Sequence, residues 1–546
     1  MTASAANYPV VLLFGAWVQT PLLMSKVRLQ FSLALFLANV VGVLLFNWLT
    51  PALSRSFGWW LVPARNAGHT DQPGRRCRPG RSAIRCIALP ILETRTRTGA
   101  PERPRGCSRA DLCELLLVGL LLASVPCLAQ AQAPSDADAT TLAIAGNPGA
   151  VNVTPGTGEL GRLLGIEPES GLRLGGVLIS NGNYLISGGN EPGATSFNNL
   201  LLTDFEADLD RLAHIPGATF GMAVLRFDGQ PSNQQAGVVS GYNGLTGAPP
   251  LDRTELYGLW WRQSVLSDGL VIRIGKTIPT YDFNNVVRPV PVQELSLQIP
   301  GVSGLLYTPI FVNPTILGML PGYYNSAYGI TTTVAPTQRS YISWGGYDGN
   351  GARGVQTGLQ ATPTFNAYKF QIGETGTAWL LGPDNLPGAA AIGGWDQTGT
   401  LTLSRPSAQS EITQNGTHGV YAFASQRLWR GNGGDGQASG VSGFIQLGIN
   451  NSRTTMFATR YVGLGLTAFG MIPGRPADSF GAGLAWSGLN RNGGNRPDEA
   501  LIQVYDQIQV FDRFYLQPTL TFSPNPGQPT AHAPAAAFTL QSTILF

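Results

Sequence analysis

The sequence predicts an all-β fold, a transmembrane antiparallel β-barrel of about 16 to 18 strands occupying residues 171–546. From residue 132 onward, apolar and polar side chains alternate in short runs broken by Gly, Asn, Asp and Pro. This region contains no cysteine, and its last nine residues, 538–546, alternate up to a terminal Phe. Because a strand of a soluble β-sandwich would alternate in the same way, the sandwich remains the rival fold.

Two apolar runs, residues 8–24 and 31–49, precede this region and are separated by Lys26 and Arg28. Each run is long enough for a helix to cross a hydrocarbon core of about 30 Å. Residues 1–64 therefore predict a hydrophobic helical hairpin, and they loosely resemble the two-helix tail of small bacterial inner-membrane proteins. The sequence leaves open whether this hairpin belongs to the mature protein.

A disordered linker and a signal peptide are predicted next. Residues 65–108 are rich in Arg, Pro and Gly and have no helical or strand period. Residues 109–131 combine Arg109, an apolar run over 115–125 and small residues at Ala129 and Ala131, which is typical of a secretory signal. Cleavage after Ala131 would leave a short periplasmic segment, residues 132–170, before the barrel. Within that segment, the region around residues 160–166 is the only helical turn predicted after the signal peptide.

Charge divides at the same boundary. Residues 1–131 contain 14 Lys and Arg against 5 Asp and Glu, a net +9, whereas the other 415 residues contain 21 against 27, a net −6. All five cysteines lie before residue 132, which excludes a disulfide scaffold or a thiolate metal site after it. The overall net charge of +3 therefore indicates no nucleic-acid partner.

The alternation also assigns faces to individual strands. In the last segment, Thr539, Gln541 and Thr543 face the lumen, and the intervening apolar residues face lipid. Around residue 260, the pattern assigns Trp260 and Arg262 to the lumen. In the same strand, Tyr257, Leu259 and Trp261 are assigned to lipid. In 270–276, Arg273 faces inward, and in 503–509 the inward residues are Gln503, Tyr505, Gln507 and Gln509.

Several segments resemble, in order, the carbohydrate-selective porins of the OprB family, over most of residues 155–546. They include 156–189, with its LG and double-Gly elements, and 208–228, an acidic stretch followed by Pro-Gly-Ala and a strand. Residues 256–275 resemble a family hairpin that turns at Asp-Gly, and 470–478 carries the most specific element, Gly-Arg-Pro-x-Asp. Residues 419–429, 499–505 and 516–518 follow the family order as well. Ser425 departs from the acidic residue expected before Gln426, and the last strand lacks an Arg often present there.

This resemblance implies an outer-membrane porin for passive, carbohydrate-selective diffusion of small sugars, without a cofactor. Its implied partners are outer-membrane lipid, lipopolysaccharide and the barrel-assembly machinery, which would contact Phe546. It leaves the monomer and the homotrimer open. Two alternatives remain: a general or ion-preferring porin without sugar selectivity, and a structural or adhesive barrel.

Candidate pore-lining and sugar-contacting residues follow from the inward faces and the polar turn. They are Trp260, Arg262, Arg273, Arg427, Arg475 and Asp478. Polar groups can replace the hydration of sugar hydroxyls, and an aromatic ring can stack on the C–H face of a sugar. For Arg475 and Asp478, bracing of the turn is the preferred interpretation.

An enzymatic function is disfavoured. The region after residue 132 contains only three histidines, His214, His418 and His532, and none has the spacing of a hydrolase or metal site. Ser-Gly pairs such as Ser240-Gly241 lack the flanking glycine of a nucleophile elbow.

Overall fold

Sixteen antiparallel strands form a closed barrel in the part of the chain that the computed structural model describes. Residues 156–546 are described, apart from 249–250, 288–290, 293–296, 298, 300–301, 324, 404–410 and 432–438. The predicted helical hairpin, the linker and the signal peptide lie outside the described residues. Sixteen strands are at the lower end of the predicted number, and closure excludes the sandwich.

The strands follow one another around the barrel in chain order. They are β1 Leu172–Gly189, β2 Thr195–Asp208, β3 Ala218–Gly229, β4 Arg253–Val265, β5 Leu270–Thr277, β6 Ala327–Thr337, β7 Ser340–Asp348, β8 Lys369–Leu381, β9 Leu386–Leu403, β10 Ile412–Arg430, β11 Gly440–Asn450, β12 Ala458–Phe469, β13 Ser479–Leu489, β14 Asp498–Phe511, β15 Phe514–Ser523 and β16 His532–Leu545. The first and last strands pair, with Val177 opposite Leu545 and Asn183 opposite Thr539.

The two faces of the wall differ in exposure. On β16, Thr539, Gln541 and Thr543 are buried inside the barrel, as predicted for the lumen face. On the outer face, apolar side chains such as Ile392 and Leu466 are more than half exposed to the surroundings. This is the arrangement expected of a barrel wall in contact with lipid.

The predicted face of Tyr257 is wrong. Ala223 on β3 pairs with Gly258 and Val224 pairs with Leu256, so Tyr257 is an extra residue in β4, a β-bulge. The bulge turns Tyr257 inward, where it is only 3% exposed, while Trp261 keeps its predicted outward position. Period-two alternation contains no signal for this insertion.

Four one-turn helices accompany the strands in the described residues. They are α1 Glu159–Leu163, α2 Leu209–Ala213, α3 Ser232–Gln235 and α4 Thr308–Phe311. Helix α1 lies in the predicted helical turn, but the expectation that it would be the only one is wrong. The other three lie in connections. One of them, α2, is capped by Asp208, which accepts hydrogen bonds from the backbone N–H groups of Asp210 and Arg211.

The segment before β1 is attached to the end of the barrel. The carbonyl oxygen of Phe546 accepts hydrogen bonds from the backbone N–H of Thr157 at 3.1 Å and of Gly176 at 2.7 Å. Glu159 on α1 forms an ion pair with Arg513 in the turn between β14 and β15. Short turns predominate at this end, which identifies it as the periplasmic one by the usual asymmetry of outer-membrane barrels.

None of the helices in the described part of the chain has the length and apolar character needed to cross a membrane.

Candidate functional site

Long connections fill part of the barrel interior. The described residues of the connection between β5 and β6, within 278–326, fold inward, and Leu305, Tyr307, Ile310 and Ile316 among them are at most 1% exposed. Its backbone is hydrogen-bonded to the opposite wall: the N–H of Leu306 donates to Gln503 at 2.6 Å and the N–H of Gly304 donates to the Tyr505 hydroxyl at 2.9 Å. The lumen is therefore narrower than the strand number alone implies.

A buried carboxylate anchors the start of this connection. Glu374 on β8 accepts hydrogen bonds from the backbone N–H of Asn284 at 2.8 Å and from the hydroxyls of Tyr341 and Tyr421 at 2.7 and 2.8 Å. Its side chain is buried in the barrel interior. Because the loss of one partner would leave buried donors unsatisfied, this arrangement holds residue 284 firmly against the wall.

A second buried carboxylate anchors the connection between β3 and β4. Glu499 on β14 accepts hydrogen bonds from the backbone N–H groups of Val239 and Ser240, both at 2.8 Å, and of Gly527 at 2.7 Å. The two inward connections also meet each other, since the Tyr323 hydroxyl donates to the carbonyl of Gly244. Burial raises the pKa of the Tyr323 hydroxyl well above its ordinary value, which keeps this donor neutral.

Three of the predicted site residues lie together on the inner wall towards the periplasmic end. Arg262 on β4 is directly opposite Arg273 on β5. The guanidinium carbon of Arg273 lies 5.0 Å from the centroid of the Trp260 ring, within the range of a cation–π contact. Arg262 approaches Asp268 of the adjoining turn at 3.6 Å.

Acidic residues that the sequence analysis did not select complete this group. Arg273 donates to Asp282 at 2.6 Å, and the Thr331 hydroxyl donates to the other carboxylate oxygen of Asp282 at 3.1 Å. On the neighbouring strands, Arg173 pairs with Glu206 at 3.0 Å and with Asp204. The Glu206 carboxylate is 39% exposed and close enough to Arg262 to act on it electrostatically.

We call these residues the arginine cluster. It consists of Arg173, Arg262 and Arg273, their carboxylate partners Asp204, Glu206 and Asp282, and Trp260. The acidic stretch at 204–208 in the sequence contains Asp204 and Glu206, so it could have indicated these two members of the cluster. Asp282 had no such signal, because only the fold brings the start of the connection after β5 back beside Arg273.

A glycine positions the aromatic ring of the cluster. Gly221 on β3 is opposite Glu206 on β2 and opposite Trp260 on β4. A Cβ atom at residue 221 would lie 2.1 Å from a ring carbon of Trp260, so the ring occupies the space above this glycine. The indole thus extends across β3 towards Glu206.

The other three predicted site residues lie elsewhere. Arg427 on β10 is 3% exposed, and its guanidinium carbon lies 4.2 Å from the centroid of the Phe469 ring. Arg475 and Asp478 form an ion pair in the turn between β12 and β13. Arg475 also donates to the carbonyl of Gln509 at 2.9 Å, and Asp478 accepts from its N–H at 2.8 Å. The hydrogen bond to Asp478 raises the pKa of Arg475. These contacts brace the turn against β14.

Comparison with known proteins agrees with this architecture. The chain is similar to the high-pH structure of OprB from Pseudomonas putida, with 16% identity over 71% of this chain and 98% of that chain, and a TM-score of 0.58. The low-pH structure of the same protein is similar at 14% identity over 71% and 97%, with a TM-score of 0.43. At 16% identity, the likeness to the high-pH structure supports the fold alone. The TM-score of the low-pH structure is too low to support an argument. No curated protein matches the chain.

The family profile extends the match beyond the fold. The profile of the carbohydrate-selective porin, OprB family, matches residues 193–546, which is more than half of the chain. The match includes fifteen of the strands entirely or nearly so, together with both inward connections and most of the arginine cluster. The chain therefore belongs to the carbohydrate-selective porins of the OprB family and forms a passive channel of the outer membrane.

Proposed function

We propose that the arginine cluster is the place where this porin selects small sugars during passive diffusion. A sugar presents hydroxyl groups around a ring with a faintly apolar C–H face. The cluster offers donors on three arginines, acceptors on three carboxylates and the indole of Trp260 within one part of the inner wall. The Trp260 ring, which lies beside the Arg273 guanidinium and extends towards the exposed Glu206 carboxylate, is the observation that carries this proposal.

The charges of the cluster favour neutral polar solutes over ions. With Asp268 beside Arg262 included, its three arginines face four carboxylates, so positive and negative charges nearly cancel. A hydroxylated neutral solute can exchange water for these groups without the desolvation penalty of an ion, and the binding remains weak enough for release. A general porin without sugar selectivity would need no such balanced group beside an aromatic ring.

A matched pair of tryptophans tests this proposal. Residues 132–546 are reconstituted in planar bilayers, and glucose is titrated while the ion current is recorded. We expect Trp260→Leu to raise the half-blocking glucose concentration by up to about tenfold, because loss of an aromatic contact costs about 0.5–1.5 kcal/mol. Trp261→Leu should leave it unchanged, since Trp261 faces outward. Equal effects of the two changes would place sugar selection elsewhere.

The same preparation separates the alternative functions. Liposomes that contain the wild-type protein should swell in glucose and in small oligosaccharides. Failure to swell would overturn the proposal and favour a structural or adhesive barrel. The barrel fold and the family both favour a channel over an enzyme.

Export and assembly complete the proposal. We infer that the signal peptide at residues 109–131 directs the chain to the periplasm and that cleavage follows Ala131. The barrel-assembly machinery would then read the last strand through Phe546, and the protein would insert among outer-membrane lipid and lipopolysaccharide as a monomer or homotrimer. The alternating last strand with its terminal aromatic residue supports this route.

A further inference from the structure

A cavity of about 90 Å³ lies between the wall formed by β1–β4 and the two inward connections. The wall contributes apolar side chains to it, the largest group being Val177, Ile179, Leu200, Leu202 and Leu225. The connections contribute aromatic rings, among them Tyr281, Phe311 and Tyr323. We call this space the apolar cavity.

The chemistry of the apolar cavity is unusual for the interior of a porin. Its five aliphatic wall residues are all on the inward face and between 1% and 8% exposed. The inner face of β1–β3 is therefore apolar at this level, whereas a water-filled barrel normally has a polar inner face. Such a layer excludes water and favours contact with apolar groups.

The residues that line the apolar cavity are close neighbours of the arginine cluster along two segments of the chain. On β2, Leu202 lines the cavity and Glu206 belongs to the cluster, and four residues of a strand span about 13 Å. On the connection after β5, Tyr281 lines the cavity while the next residue, Asp282, pairs with Arg273. A solute of the size of a substituted sugar can therefore contact both.

We propose that the apolar cavity binds the small apolar substituent of a hydroxylated solute, such as the alkyl group of an alkyl glycoside, while its sugar ring lies at the arginine cluster. This inference rests on the proposed function, because it assumes that sugars reach the cluster. It extends the solutes of this channel from free sugars to glycosides with a short apolar aglycone.

The size of the cavity sets the length of the substituent. The volume of about 90 Å³ exceeds the roughly 10–15 Å³ that a single water requires, so the cavity has room for several non-hydrogen atoms. It therefore accommodates a short alkyl chain. Each buried methylene should tighten binding about threefold to fourfold until the cavity is full.

A chain-length series tests this directly. A series of n-alkyl glucosides from methyl upwards is titrated against the ion current of the channel purified from outer membranes, in planar bilayers, with glucose as the reference. In the wild type, the half-blocking concentration should fall about threefold to fourfold per carbon until the cavity is filled and then level off. A half-blocking concentration that does not depend on chain length, with glucose still permeating, would overturn this inference and leave the proposed function intact.

Adjacent leucines provide the variant and its control. Leu200→Phe fills the cavity from the inner face and should abolish the chain-length dependence. Leu201→Phe adds the same volume on the outer face, where Leu201 is 36% exposed, and should preserve it. If the dependence survives Leu200→Phe, the apolar substituent binds elsewhere and the inference is wrong.

A truncation guards against misfolding of the larger variant. Leu200→Ala enlarges the cavity and should move the levelling-off point to a chain at least one carbon longer. An unchanged point would contradict the inference. If neither glucose nor any glucoside blocks or permeates the wild-type channel, the proposed function itself fails, which is a different result from a missing chain-length effect.

Discussion

At the scale of single residues, a substitution in the arginine cluster can change the charge in the lumen without removing most of the groups that contact a sugar. Arg273 pairs with Asp282, and Asp282 is otherwise bound by the Thr331 hydroxyl. Removal of the arginine leaves a carboxylate without its cation in the narrow part of the lumen. The effect should therefore be electrical before it is steric.

We expect Arg273→Ala to shift the reversal potential of the channel in a salt gradient towards cation preference. Glucose flux should change by less than about twofold, because the remaining arginines still donate to hydroxyls. Arg226→Ala is the matched control, since Arg226 pairs with Asp228 on the outer face of β3. An unchanged reversal potential in Arg273→Ala would mean that the charge does not face the permeation path.

Gly221 should matter through the ring that lies on it. Gly221→Ala places a methyl group where the Trp260 ring now lies and should displace it, weakening glucose block while lowering the free energy of unfolding by about 1–3 kcal/mol. Gly394→Ala is the control, because a Cβ there would meet its nearest atoms at 3.8 Å. Titration of glucose block and denaturant unfolding of both variants measure the two effects. Retained glucose block in Gly221→Ala would show that the ring position does not decide sugar contact.

At the scale of elements, the inward connections depend on buried carboxylates of the wall. Glu374 joins β8 to the connection between β5 and β6 through three hydrogen bonds. A neutral glutamine at residue 374 has one acceptor oxygen instead of two. It also lacks the negative charge that strengthens the three hydrogen bonds. The connection should then leave the wall more often.

Glu374→Gln should lower the free energy of unfolding by about 2 kcal/mol and raise the current noise and mean conductance. Single-channel recording and denaturant unfolding in detergent measure these changes. Glu191→Gln, at an exposed loop position, should leave both properties as in the wild type. A quiet current of wild-type size in Glu374→Gln would show that residues 278–326 do not depend on this anchor.

Strands were predictable from the sequence, but the interior of the barrel was not. Alternation over 514–522 or 270–276 is a local property, and β15 and β5 lie there. The contacts of the inward connection are non-local: Leu306 binds Gln503, which is 197 residues away. Likewise, Tyr257 faces inward because of a bulge opposite β3, which no pattern within β4 alone encodes.

The candidate site was predictable only in part, for the same reason. Trp260, Arg262 and Arg273 lie on two strands of one hairpin, so inward alternation and a short turn already place them together. Asp282 joins them through the return of a long connection, and Arg173 joins them through the side-by-side packing of β1 to β4. The apolar layer of β1–β3 resembles a lipid-facing run in the sequence, and only the closed fold places it inside.

At the scale of the whole molecule, the barrel and the segment before it define what must reach the outer membrane. Thr157 and Glu159 both contact the periplasmic end of the barrel. We expect N-terminal sequencing of the protein extracted from outer membranes to give a start near Gln132, because the proposed signal peptide would be cleaved after Ala131. Recovery of residues 1–64 on the same polypeptide would contradict the proposed processing.

The inward connections also decide where a transmembrane voltage acts. An open barrel of this strand number would distribute the potential along its whole length. Here the inward connection after β5, which is hydrogen-bonded to β14, narrows the lumen, and we expect the electrical resistance to be concentrated there. The field is steepest there, and a unit charge that crosses the full potential gains about 2.3 kcal/mol per 100 mV. The arginine cluster lies at the periplasmic side of this short region. An ion that enters from the periplasm therefore reaches its charges after a smaller part of the voltage drop than an ion that enters from outside the cell. The channel should therefore rectify, with a current–voltage curve that is asymmetric about zero.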